Sequence, residues 1–129
     1  MIALIRAMFA TPEAQSDPYV WAAALAGHWV IGAGLAALVM AISPVRKPWG
    51  VTASLSGLYA CAWEAGQALT AALHGRLTWA LAWDGVVDWT AVTLGAITAA
   101  ALWQHRRRII AAAVAATVVI LTAGVGRRK

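Results

Sequence analysis

Cysteine, acidic residues and long polar runs are what this chain has least of. Its single cysteine, Cys61, sits inside an apolar run and excludes an intrachain disulfide, and no Cys/His spacing resembles a zinc site. No nucleophile motif, glycine-rich phosphate loop or metal-ligating cluster is present, so no named enzyme class, cofactor or metal is expected. A basic leader with a small-residue cleavage pattern is also missing, which argues against a signal peptide. Only 12% of the residues are charged against 62% hydrophobic, and the mean hydropathy is +0.72; a soluble domain is not expected on these grounds.

The charge that is present is mostly positive, +5 net. It is gathered in Arg46-Lys47, Arg106 to Arg108 and Arg127 to Lys129, each beside an apolar run, where membrane topology and anionic headgroups place cations. That arrangement argues against nucleic acid as a partner and for membrane lipids. Five cations fall on each side of the expected bundle, so the positive-inside rule ties; the density of the two short basic loops tips the reading toward loops in the cytoplasm. Eight tryptophans stand against one phenylalanine, and Trp21, Trp49, Trp79, Trp83 and Trp103 fall near run ends, as an interfacial belt requires. Trp29, Trp63 and Trp89 lie deeper.

The apolar runs predict an all-α, polytopic membrane bundle forming one domain over 1–129. About four spans are expected, near 19–42, 51–73, 85–103 and 109–126, each long enough for a hydrocarbon layer of about 30 Å. "MIALIRAMFA" is too short to span and reads as an interfacial amphipathic helix. Asp17 with Pro18 opens the first span as N-cap and first helical residue. "SPVRKPWG" breaks the chain before the second span, and "HGRLTWALAWDG" reads as an interfacial connection in which Asp84 caps the third.

Three of these helices carry ionisable groups into one leaflet. His28 lies about 13 Å down the first span at 1.5 Å per residue, Glu64 reaches a similar depth on the second, and Asp88 lies about 6 Å below Asp84 on the third. Glu64 and Gln67 share a face one turn apart, as do Asp84 and Asp88. Gly32 with Ala36, and Ala62 with Gly66, allow close helix approach beside them. An unpaired carboxylate in hydrocarbon costs about 3 kcal/mol, so Glu64 should be protonated, paired or facing water, with His28 and Arg76 as candidate partners. Structural roles are available to each: Asp84 as a cap, Asp88 as a dipole partner, Gln67 and His28 as interhelical glue, Arg76 as an anchor. Glu64 has the weakest structural explanation, because an intramembrane carboxyl marks function by default.

The stretch "WEAGQALTAALHGRLTWALAWDGVVDWTAVTLGAITA" resembles the VanZ-like group of small bacterial membrane proteins. Glu64 and Gln67 match that pattern's Glu and Gln three residues on; Arg76 matches the Arg of the connection, Asp84 and Asp88 its paired Asp residues, and Gly95 a later glycine. Val92 stands where the pattern has Asn. The resemblance implies a bundle of four or five membrane helices linked to envelope properties, glycopeptide-antibiotic tolerance being the trait that names the group.

Two functions from different classes follow as expectations. In the first, a protein of the bacterial inner membrane binds or acts on an envelope lipid or headgroup. Glu64, Asp88 and His28 are its candidate catalytic residues, with Gln67, Arg76 and Asp84 holding the substrate. In the second, small size and glycine/alanine-rich helices serve a phage holin-like protein that homo-oligomerises and permeabilises the membrane. A proton path and a packing subunit of a larger complex rank below these.

Overall fold

The computed structural model describes residues 17–43 and 47–128. The expected amphipathic helix in residues 1–10 lies outside the described residues, as do Arg46 and Lys129. The described chain is all-α. Its elements are α1 (Pro18–Ile42), α2 (Pro48–Leu58), a π-helical turn π1 (Tyr59–Glu64), α3 (Ala65–Leu73), α4 (Trp79–Trp103) and α5 (Arg107–Gly126). Helices α1, α4 and α5, of 25, 25 and 20 residues, are long and apolar enough to cross a membrane. The second expected span is helical along its length, but π1 divides it into three shorter pieces.

The helix ends explain the boundaries. Asp17 caps α1 as its sequence predicts, its carboxylate accepting from the Tyr19 and Val20 amides at 2.7 and 3.0 Å. α3 ends where Gly75 takes a left-handed conformation, φ 66°, so that the Arg76 amide reaches the Ala71 carbonyl at 2.8 Å. The start of α4 corrects the expectation for Asp84. Thr78 is the N-cap, its hydroxyl accepting from the Leu81 amide at 3.2 Å, and the helix runs through Trp79, Trp83 and Asp84 without a break. Asp84 is therefore a buried helical residue and not a cap.

Helix α4 is the centre of the bundle, touching α1, α2, π1 and α5. It runs parallel to α1, and glycine brings the two backbones together: a Cβ on Gly32 would overlap the Val92 carbonyl, and one on Gly95 would overlap the Trp29 carbonyl. Toward the Ser43 and Gln104 end, Ala36 and Met40 pack with Val51, Ala96, Ala99 and Ala100. Toward the Asp17 and Gly75 end, Trp21, Leu25 and Ala91 pack together, with Ile120 and Leu121 of α5 against them. The antiparallel α2 is tied to α4 by hydroxyls and indoles. Thr52 donates to the Ala96 carbonyl at 3.3 Å, Ser56 and Thr93 share a bond of 2.8 Å, and the Trp89 indole donates to Ser56 Oγ at 2.9 Å. Val30, Leu38, Ile42, Leu58, Val118 and Val119 are exposed, an apolar exterior suited to lipid.

Candidate functional site

The site is built where α1, π1 and the first half of α4 meet. From α1, His28 Nδ1 lies 3.1 Å from Asp88 Oδ1 on α4, with both side chains about four-fifths buried. From π1, the Tyr59 ring meets the His28 ring edge-on at a centroid distance of 6.1 Å and stacks on Trp63 at 6.5 Å. Glu64, at the other end of π1, reaches α4 at Gly85, where an added Cβ would fall 2.6 Å from Glu64 Oε2. Glycine at that position makes the room that the carboxyl occupies.

The π turn explains how Tyr59 and Glu64 serve one site. Residues five apart in an α-helix point about 140° away from each other. The wider i→i+5 turn, closed here by the Ala65 amide on the Ala60 carbonyl, draws them toward one side. The Tyr59 hydroxyl and the Glu64 carboxyl face one another, yet neither Tyr59 Oη nor Glu64 Oε1 completes a well-formed hydrogen bond. His28 Nδ1 is also buried without an in-line hydrogen bond, although Asp88 Oδ1 lies beside it. Leaving a buried polar atom unpaired costs about 1–3 kcal/mol, so such atoms in one cluster need a reason.

A cleft of about 270 Å³ opens beside Glu64, between the π1/α3 rod and the start of α4. Glu64 and Gln67 supply its hydrogen-bonding side chains near the helix axis, while Ala60, Ala68, Leu81 and Val86 make apolar walls. The arrangement can hold a molecule that is polar at one end and apolar along its length. Glu64, Tyr59, His28 and Asp88 gather proton donors and acceptors into one cluster, of which Glu64 lines the cleft. Asp88, by its contact with Nδ1, orients the imidazole and leaves Nε2 as the second nitrogen for exchange.

Of the six residues singled out in the sequence, His28, Glu64 and Asp88 come together in this cluster, and Gln67 joins Glu64 along the cleft. Asp84, one turn from Asp88, opens toward a second cleft on the far side of α4. Arg76 is exposed in the α3–α4 connection and makes no ion pair among the described residues; the imidazole of His28 goes to Asp88. Among the described residues no three His, Cys, Asp or Glu side chains are grouped to hold a metal, so Asp84, Asp88 and Glu64 do not form a cation cage. Cys61 is exposed. Tyr59 and Gly85 belong to the site and escaped the sequence reading. A tyrosine five residues before an intramembrane glutamate is a signal only once the π turn is known, and Gly85 after Asp84 resembles a turn. No family model matches this chain, and neither the curated proteins nor the solved structures contain a match to it.

Proposed function

We propose that this is a small VanZ-like protein of the bacterial inner membrane whose intramembrane site binds, and acts by proton transfer on, the polar part of an envelope lipid. The observation that carries the reading is the cleft at Glu64: a half-buried carboxyl, one oxygen of which has no hydrogen-bond partner, stands beside a mostly apolar wall. A headgroup would meet Glu64 and Gln67, and its acyl chain would run along Ala68, Leu81 and Val86. In this scheme Glu64 exchanges a proton with the bound group, and the Asp88–His28 pair stands in the same polar cluster behind it. The exposed Arg76 attracts an anionic group at the membrane surface.

Lipid carried through purification in mild detergent, measured by mass spectrometry, tests this directly. Glu64→Gln should reach the membrane in wild-type amount and retain at least about tenfold less of the lipid that wild type carries, the loss of one charge-assisted hydrogen bond. Wild-type retention by Glu64→Gln would overturn the reading.

A second reading rests on α5, where Ala113 and Gly124 are the only buried residues among those described. That helix has a free apolar face, and self-association along it would support holin-like permeabilisation. Dye leakage from vesicles that persists in Glu64→Gln would favour this function over the lipid site.

A further inference from the structure

We propose that a second cleft, between the start of α4 and the end of α5, binds the zwitterionic headgroup of a phospholipid: its phosphate on Arg127 and Arg128, its ammonium on Asp84 among tryptophans. The cleft encloses about 820 Å³ and lies across α4 from Glu64. Its walls include Trp21, Trp79, Trp83, Ile120 and Ala123, with Asp84, Arg127 and Arg128 as the charged groups.

Each part of the headgroup has a matching surface. The Arg128 guanidinium lies 4.2 Å over the Trp21 ring and donates to the Gly124 carbonyl at 3.2 Å, which fixes its plane while leaving further N–H groups for phosphate oxygens. Gly124 is required for this stack, because a Cβ there would overlap the Trp21 ring. Arg127 adds a second cation at the same helix end. Asp84, only 8% exposed, lines the cleft beside the Trp21 indole, with Asp88 one turn along the same helix. An ammonium can donate to the Asp84 carboxyl and pack against the indole faces, which a purely anionic headgroup cannot do. Trp79 and Trp83 are 84% and 53% exposed, the disposition of indoles at a headgroup boundary. Val87, Ile120 and Ala123 continue the cleft as an apolar wall for the acyl chains.

The two clefts share no lining residue, and the test separates them. Delipidated full-length protein in mild detergent is offered equal amounts of phosphatidylethanolamine and phosphatidylglycerol of identical chains, and adducts are counted by native mass spectrometry. Wild type should take the ethanolamine lipid in excess. Arg127→Gln and Arg128→Gln should each reduce that adduct about fivefold, the effect of one cation at a lipid headgroup. Asp84→Asn should keep phospholipid binding but lose the preference between the two lipids. Glu64→Gln, which disables the first cleft, should keep the preference. Free phosphoethanolamine at the same concentration should displace nothing, since it lacks chains for the apolar wall. Equal uptake of both lipids by wild type, a preference for the glycerol lipid, a preference untouched by the arginine and Asp84 variants, or displacement by free phosphoethanolamine would each overturn the proposal.

Discussion

The two halves of this bundle are built on the same central helix and treat polar atoms in opposite ways. Toward the Ser43 and Gln104 end, α4 presents Ala96, Ala99 and Ala100, and the buried hydroxyls near them are paired: Thr52 with the Ala96 and Pro48 carbonyls, Thr98 with the Leu94 carbonyl. Toward the Asp17 and Gly75 end, the same helix presents Asp84, Gly85 and Asp88, and there His28 Nδ1, Tyr59 Oη and Glu64 Oε1 are buried without a hydrogen bond. Lipid gives no hydrogen bonds, so hydroxyls that bond to a neighbouring carbonyl act as glue between helices. The rings of His28 and Tyr59 pack, but the Nδ1, Oη and Oε1 atoms they and Glu64 carry make no hydrogen bond between helices. Both halves pack the helices together, and the unpaired polar atoms are gathered in the second.

The largest effect should come from the α1–α4 contact that spans both halves. Gly95→Ala sets a methyl group on the Trp29 carbonyl, a backbone atom that moves only with its helix, and should cost about 2–3 kcal/mol. Gly57, with open space around its Cα, is the control; Gly57→Ala should leave stability unchanged or raise it by about 0.5–1 kcal/mol. Thermal unfolding in detergent, followed by tryptophan fluorescence, measures both. Equal midpoints for the two variants would mean that the glycine-tight pairing of α1 and α4 is wrong.

A smaller structural effect with a larger functional one is expected at Gly85. Here the added methyl meets the end of a flexible side chain, Glu64, and not backbone. Gly85→Ala should therefore shift stability by less than about 1 kcal/mol. By displacing the carboxyl from the cleft, it should lower lipid retention about tenfold, as Glu64→Gln does. Retained lipid at wild-type level in a folded Gly85→Ala protein would detach Glu64 from the site.

This difference between the halves was only partly legible in the sequence. Apolar run length finds α1, α4 and α5 because the bilayer sets one length scale, and the Asp17-Pro18 pair marks a helix start by local bonding alone. Gly32 and Ala36 announce close packing for the same local reason. The early start of α4 was hidden because Gly75, Asp84 and Gly85 all have turn chemistry, yet only Gly75 takes a turn conformation; Asp84 and Gly85 are helical for tertiary reasons, facing Trp21 and Glu64. The π turn leaves no periodic trace, since it shifts the apolar pattern by a single residue. Depth brought His28, Glu64 and Asp88 to one leaflet but could not choose partners among them, because rotation of each helix about its axis is set by packing and not by length.

The smallest effects separate the two ends through their turns. α3 and α4 close the same way, with a left-handed residue after the helix: Gly75 at φ 66° on the side of the polar half, His105 at φ 56° on the other. In both, the next amide reaches back to an alanine carbonyl at 2.8 Å, Arg76 to Ala71 and Arg106 to Ala101. A side chain in this conformation costs about 1–2 kcal/mol, and glycine gives back about 0.4–1 kcal/mol through its freer unfolded chain. Gly75→Ala should thus destabilise by about 0.5–1 kcal/mol, and His105→Gly should stabilise by about 0.5 kcal/mol or less, since histidine tolerates the left-handed region better than most residues. Neither turn touches the clefts, so lipid retention should stay at the wild-type level in both variants while the unfolding midpoints move in opposite directions. A fall in retention with His105→Gly would show that the apolar half, through the end of α4, controls the geometry of the polar one.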